Sequence, residues 1–221
     1  MTGGIYSIPE AAWITGISES RIRRWLQGYA YEAGGMKKLA PPVWTGALPP
    51  LHGRHAVSFR DLIEMRFVNA FLGLGVNWKI IRDAQQRARE ELGLTHPFST
   101  NRFQTDGGQI FFEMIEQAGR TRLVDLDSGQ EMLIGLTAPF LDELDLDAEE
   151  AVIRWWPLGK GRHVCLDPAV RMGTPCLQPY GVPTEVVAAM AGQQDPIRVA
   201  AWFDLPTAAV EAALAWEEGT P

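Results

Sequence analysis

Ser20, Arg21, Arg23, Arg24, Lys37, Lys38, Arg54 and His55 have the types and spacing to hold an anion. The three arginines fall within GISESRIRRWLQGY, residues 16–29. A guanidinium fork matches both a phosphate and the O6/N7 edge of guanine, so this set suits nucleic acid. The competing reading of a basic helix is a solvated charged face. Ile22, Trp25 and Leu26 stand at i, i+3 and i+4, which places them on one apolar helical face and turns the arginines elsewhere.

Other chemistries have weaker support. Cys165 follows His163 by two positions, with Asp167 and Cys176 nearby, the raw material of a thiol nucleophile. Neither an oxyanion loop nor a nucleophile elbow accompanies them, and cysteine is among the most often buried residues. The acid-rich stretch LDELDLDAEEA, residues 141–151, lacks the sharp-turn glycine and ordered ligand spacing of a calcium loop. It is expected to be a solvated acidic linker. There is neither a P-loop nor a GxGxxG after a strand. The sequence therefore predicts no catalytic residues, no metal ligands, no cofactor and no enzyme activity.

The elements that position the basic set carry clear local signals. Ser7 is a helix N-cap with Glu10 as capping-box partner and Pro9 in the first turn, and Gly16 stops that helix. Ser18 offers a second N-cap, so a short basic helix follows a short apolar one across a glycine turn. Residues 34–60 are rich in Gly and Pro, with β-prone pieces at Val43-Trp44 and Ala56-Val57. They predict a hairpin with a long tip carrying Lys37, Lys38, Arg54 and His55. Ser58 and Asp61 begin another helix, and Asn77 caps a fourth.

The pieces SESRIRRW, VSFRDL and LGVNWKII, in that order, resemble the winged helix-turn-helix domain of the MerR family over roughly the first ninety residues. The resemblance implies DNA binding, with the second helix in the major groove and the wing along the backbone. Arg21 and Arg23 would then approach bases and Arg24 the phosphates. Gly93 and Pro97 interrupt the helical pattern where MerR regulators continue into a long dimerising helix, so an inducer-sensing role does not carry over.

Beyond that point, Asp106-Gly107-Gly108 and Asp127-Ser128-Gly129 sit between β-prone runs and predict a small antiparallel sheet. The last third contains Asp167-Pro168, Gly173, Pro175, Gly181, Pro183, Phe203, Leu205, Val210 and Ala213-Leu214. This frame resembles a family of helix-turn-helix-like domains often assigned as VapB-type antitoxins encoded beside PIN-like ribonuclease toxins. Gln178-Pro179-Tyr180 replaces the more usual Gly-Thr-Arg there. The expected architecture is mainly α with a small antiparallel β region. It comprises a MerR-like head over residues 1–92, a β-rich middle with the acidic linker over 93–158, and a helical tail over 159–221.

Charge divides the same way. Residues 1–90 carry 12 Lys and Arg against 7 Asp and Glu, and residues 91–221 carry 8 against 20. The local patch rather than the overall −7 governs an anionic partner. With 46% hydrophobic and 21% charged residues, no signal-peptide pattern and no long apolar run, the chain is expected to be cytoplasmic without a membrane partner. The two cysteines are expected to be reduced.

Taken with the resemblance, these features predict an antitoxin that binds double-stranded operator DNA as a homodimer, represses its own operon and neutralises a PIN-like toxin. Trp202, Phe203 and Trp216 are its candidate partner anchors where exposed, with at least two of them expected in the helical core of the tail. The alternative is a free-standing MerR-like regulator whose middle domain senses a ligand or partner.

Overall fold

Two strand–serine–helix junctions, at Ser7 and Ser58, stand at opposite ends of one antiparallel strand pair in the N-terminal part of the chain. Strand β1 (Ile5–Ser7) pairs antiparallel with β4 (Ala56–Ser58), Tyr6 opposite Val57. Each strand runs directly into a helix, α1 (Ile8–Thr15) and α3 (Phe59–Gly73). The computed structural model describes residues 3–42, 46–73, 75–93, 95–100 and 139–219. Contacts divide the chain into two compact units, Ile5–Thr137, and Ala138–Pro221 together with Met1–Gly4.

In the first unit, Ser7 and Glu10 form the expected capping box. Ser7 Oγ accepts from the Glu10 amide, and the Glu10 carboxylate accepts from the Ser7 amide at 2.6 Å. Gly16 ends α1 in the left-handed region at φ 69°. Helix α2 (Glu19–Gln27) buries Ile22, Trp25 and Leu26, the face its spacing predicts. Ser18 stands at its N-cap without a side-chain capping bond, its hydroxyl lying 3.3 Å from that of Ser20 instead.

Helix α3 is buried on nearly every side, from Phe59 and Leu62 to Val68 and Phe71, as a helix at the centre of a small core must be. Helix α4 (Trp78–Leu92) packs one face, Ile80, Ile81, Ala84 and Ala88. Asn77 caps its start by accepting from the Lys79 amide at 2.8 Å, and Gly93 closes its end. The following turn, Pro97–Ser99, closes on the core through Phe98, whose ring meets Phe71 edge-on at 5.8 Å.

The hairpin differs from the sequence expectation. It runs from β2 (Tyr29–Ala33) to β3 (Met36–Ala40) and turns at Gly34-Gly35, both with positive φ. Ala56-Val57 is absent from it because that segment pairs with β1, and Val43-Trp44 lies outside the described residues. A separate tight turn joins Leu51 to Arg54, held by two backbone bonds of 2.9 Å. Lys37 and Lys38 therefore belong to the hairpin, whereas Arg54 and His55 do not. The periodicity of GYAYEA is short and mixed, which hid β2. The turn chemistry of two adjacent glycines was the stronger signal.

In the second unit, part of the acidic stretch is a strand rather than a solvated linker. Strand β5 (Leu144–Leu146) pairs antiparallel with β6 (Val152–Trp155). Asp145 accepts from the Trp156 indole at 2.8 Å and pairs with Lys160, and Asp147 Oδ1 caps the intervening turn by accepting from the Glu149 and Ala151 amides. Burial alone raises the Asp145 carboxyl, but these partners leave it below the usual carboxylate range. In sequence these acids resemble a solvated run because their hydrogen-bond partners lie up to fifteen residues away.

A bridge between Trp155 and Leu166 links β6 to a three-stranded sheet of β7 (Val164–Cys165), β8 (Cys176–Leu177) and β9 (Val182–Pro183). Three helices, α5 (Thr184–Ala191), α6 (Pro196–Trp202) and α7 (Thr207–Glu217), complete the unit. The coarse class, mainly helical with small antiparallel sheets, thus holds among the described residues. The expected hairpins at Asp106-Gly107-Gly108 and Asp127-Ser128-Gly129 lie outside them. No described helix is long and apolar enough to cross a membrane.

Candidate nucleic-acid interface

The buried Ile22/Trp25/Leu26 face fixes the roll of α2, so its three arginines emerge on the other side. They are not equivalent. Arg23 pairs with Glu19 one turn earlier at 2.7 Å, both half-exposed. Such an exposed pair contributes little and opens easily. Arg21 donates from one guanidinium nitrogen to Asn69 Oδ1 at 2.9 Å, a neutral partner that orients the charge without cancelling it. The Arg24 guanidinium stands 5.5 Å from the Tyr29 ring centre, a cation–π contact. Among the described residues neither Arg21 nor Arg24 forms an ion pair. Ser20 is exposed on the first turn.

The hairpin continues this surface on one of its faces. Cross-strand pairing sets Tyr29 against Ala40, Tyr31 against Lys38 and Ala33 against Met36 on one side, and Glu32 against Lys37 and Ala30 against Leu39 on the other. Lys37 and Lys38 therefore project to opposite faces. Lys38 shares its face with Tyr31 and Tyr29, and hence with the Arg24 contact, whereas Lys37 is opposed by a carboxylate residue. Both faces are open to solvent, with Leu39 82% exposed, so the ribbon lacks a core of its own among the described residues. Arg54 is exposed beside the Leu51–Arg54 turn, and His55 lines a broad depression with Ile5, Ser7 and Leu51.

The same unit holds a buried polar cluster on α3 that joins residues far apart in sequence. Asp61 accepts from the Ser58 amide (3.1 Å), the Ser58 hydroxyl (2.7 Å) and the Ala47 amide (3.1 Å), while its other oxygen lies 3.0 Å from His96 Nε2. Glu64, one turn on, accepts from Gln85 Nε2 at 3.0 Å and from the Ser99 amide at 2.9 Å. In the sequence the signal is two carboxylates at i and i+3 on an apolar helix, of which Asp61 stands in the first turn, where acids are ordinarily solvated. Through them α3 holds the loop before Ser58 and the turn after α4.

Burial pushes the Glu64 carboxyl up to about 7, against the pull of His96, Gln85, Ser99 and Arg89. Asp61 goes the other way: burial raises it, but His96 and Ser58 outweigh that and hold it below its ordinary value. The raised Glu64 stabilises the fold fully below its ordinary value and loses that contribution as pH rises through about 7. Stability should therefore fall between about pH 4.5 and 7, by on the order of 3 kcal/mol, and level off above. Glu64→Gln should flatten that limb in denaturant melts run from pH 5 to 8. An unchanged slope would show that Glu64 does not titrate there.

In the second unit the candidate anchors separate. Trp202 is exposed, Phe203 is half-buried, and Trp216 is core, 7% exposed and edge-on to Trp155 at 6.5 Å. Trp216 is thus a packing residue and not an exposed anchor, because α7 turns it inward with Ala209, Val210 and Ala213. Cys165 and Cys176 face each other across β7 and β8, both buried and both free thiols. Burial pushes the Cys165 thiol up to about 12, so it stays protonated at neutral pH. His163 turns away, its Nδ1 3.0 Å from the Gln178 carbonyl.

The sequence matches no protein-family profile and no curated protein. The fold is similar to the crystal structure of Rv2018 from Mycobacterium tuberculosis, with a TM-score of 0.70 over 95% of this chain and 96% of that one, at 19% identity. At that identity the likeness is one of fold.

Proposed function

We propose that this chain is a DNA-binding antitoxin, its first unit a MerR-like winged helix-turn-helix that recognises operator DNA and its second unit the part that engages a PIN-like ribonuclease toxin. The observation that carries the DNA half is α2: an apolar face locked into the core, with Arg21 and Arg24 presented outward and free of any ion pair among the described residues. The β2–β3 ribbon supplies the wing, its Tyr31/Lys38 face adjoining Arg24. Arg23 reaches a base by opening its pair with Glu19. The antitoxin half rests on the sequence resemblance of residues 160–217 and on the acidity of the C-terminal part, which suits a basic partner surface. A homodimer reading a palindromic site fits such a head, and the cytoplasm fits such a partnership.

The test is retention of the full chain on the DNA upstream of its own gene as salt is varied. Replacing Arg21 and Arg24 together by Ala should weaken binding by roughly 1–3 kcal/mol per lost contact. If both touch phosphate, log K against log salt should flatten by about 0.9 for each. A parental affinity and slope in the folded double variant would remove α2 from the interface. For the partner, co-expression with the adjacent gene should suppress its toxicity and yield a complex that co-elutes. Free elution of the two proteins would overturn the antitoxin half alone.

A further inference from the structure

Arg21 and Arg24 of α2, without an ion pair among the described residues, do more than face outward: they flank a cleft. It has a volume of about 200 Å³ and is lined by Arg21, Arg24, Trp25, Tyr29, Pro41, Leu72 and Trp78. We propose that this cleft is a binding site for a small flat organic anion, a monocarboxylate carried on one or two aromatic rings.

Its walls supply the two halves of that ligand separately. Trp25 and Trp78 stack at 5.6 Å with planes 17° apart, and Leu72 and Pro41 extend the apolar lining. Trp25 is only 5% exposed against Trp78, so a ligand ring lies on the open side of this indole pair and gains area and a further offset stack there. The volume is below the usual range for drug-sized sites, which limits the occupant to one or two rings.

The charged half is already in place. Asn69 holds Arg21 through a single guanidinium bond and the Tyr29 ring supports Arg24, so neither must be ordered afresh when an anion arrives. A guanidinium has five N–H donors, and the Asn69 bond uses one, leaving a fork for a carboxylate. No acidic residue is among those lining the cleft, and its two guanidiniums repel a cation. A bare inorganic anion would leave the indole walls unfilled, and a neutral arene would leave both guanidiniums unsatisfied. Only the combination uses the whole cleft.

Occupancy has a consequence for DNA. The same two guanidiniums are assigned to DNA in the proposed function, so an anion seated between them withdraws them from the duplex and lowers DNA affinity. That consequence rests on the DNA-binding reading; the site itself does not.

The experiment is calorimetric titration of the full chain, without DNA, using 1-naphthoate as probe and 1-naphthamide as its neutral isostere. Naphthoate should bind saturably and the amide at least about tenfold more weakly, because the amide cannot engage the guanidinium forks as an anion. Arg24→Gln should reduce naphthoate affinity by about the same factor, while Arg198→Gln in the second unit should leave it unchanged. Arg24 is exposed, so its removal spares the core, and circular dichroism confirms folding. Equal affinity for acid and amide, parental affinity in Arg24→Gln, or the absence of saturable binding would each overturn the site. Adding naphthoate to the DNA-retention assay separates the two readings. Binding of naphthoate by a chain that retains no DNA sinks the DNA reading and keeps the site, and the reverse result keeps the DNA reading and sinks the site.

Discussion

Replacing Asp61 by Ala should destabilise the N-terminal unit by roughly 3–5 kcal/mol, as the loss of one member of a buried charged network does. The carboxylate is fully buried and serves the Ser58 amide and hydroxyl, the Ala47 amide and His96. Truncation leaves these groups in a site shaped to exclude water, and each unsatisfied one costs about 1–3 kcal/mol. It also removes the cap that turns β4 into α3 and the tie that brings residues 46–48 against that helix. Hydrogen exchange of the α3 amides would read the loss in this unit alone, without assuming that the two units unfold together. Asp61→Asn should fall between parent and Ala, because an amide oxygen still accepts but its NH2 group opposes other donors. Parental protection in the Ala variant would show that water replaces the carboxylate at no cost.

The local punctuation of the head was legible because it is chemistry within four residues. Ser7 with Glu10, Gly16, Asn77 and Gly93 all take the capping roles their spacing predicts, and the Ile22/Trp25/Leu26 face is buried as a 3.6-residue period requires. Pairing at a distance was not legible. Nothing in AVS says that it lies against IYS rather than against Val43-Trp44, since both choices put β-prone residues together. The arginines were visible as a basic helix, but their differences were not. Asn69 is 48 residues from Arg21, and Arg23 is neutralised by a glutamate that also looks like an ordinary first-turn acid. The same limit hid the buried cluster, whose bonds from Asp61 to His96 and from Glu64 to Ser99 each span 35 residues. Trp216 shows the converse: an aromatic on an amphipathic helix was legible as apolar, but its inward direction was set by Trp155 on a strand far upstream.

The junction between α2 and the hairpin is where one atom should cost most for function. Gly28 ends α2 at φ 72° and ψ −175°, a backbone region open essentially to glycine alone. A Cβ there would stand 2.3 Å from the Ala40 carbonyl oxygen and 3.0 Å from both Pro41 C and Pro42 N. All three neighbours are backbone, and two belong to prolines, so no flexible side chain can swing aside. Gly28→Ala therefore carries about 1–3 kcal/mol of conformational strain and in addition must part the start of β2 from the end of β3. Relief comes by moving the hairpin away from α2, since α2 is anchored by Trp25 and Leu26 in the core while the ribbon is exposed on both faces. Tyr29 would leave Arg24, Pro41 would leave the cleft, and Lys38 would lose its place beside the basic helix. The expected result is loss of DNA retention approaching that of the Arg21/Arg24 double variant, although every basic residue is still present. Naphthoate binding should fail with it, while hydrogen exchange across α5 to α7 stays parental. A Gly28→Ala protein with parental DNA affinity and a parental near-ultraviolet signal from the Trp25–Trp78 stack would show that the hairpin works without its seat on α2, and the ribbon would then have to be dropped from the proposed interface.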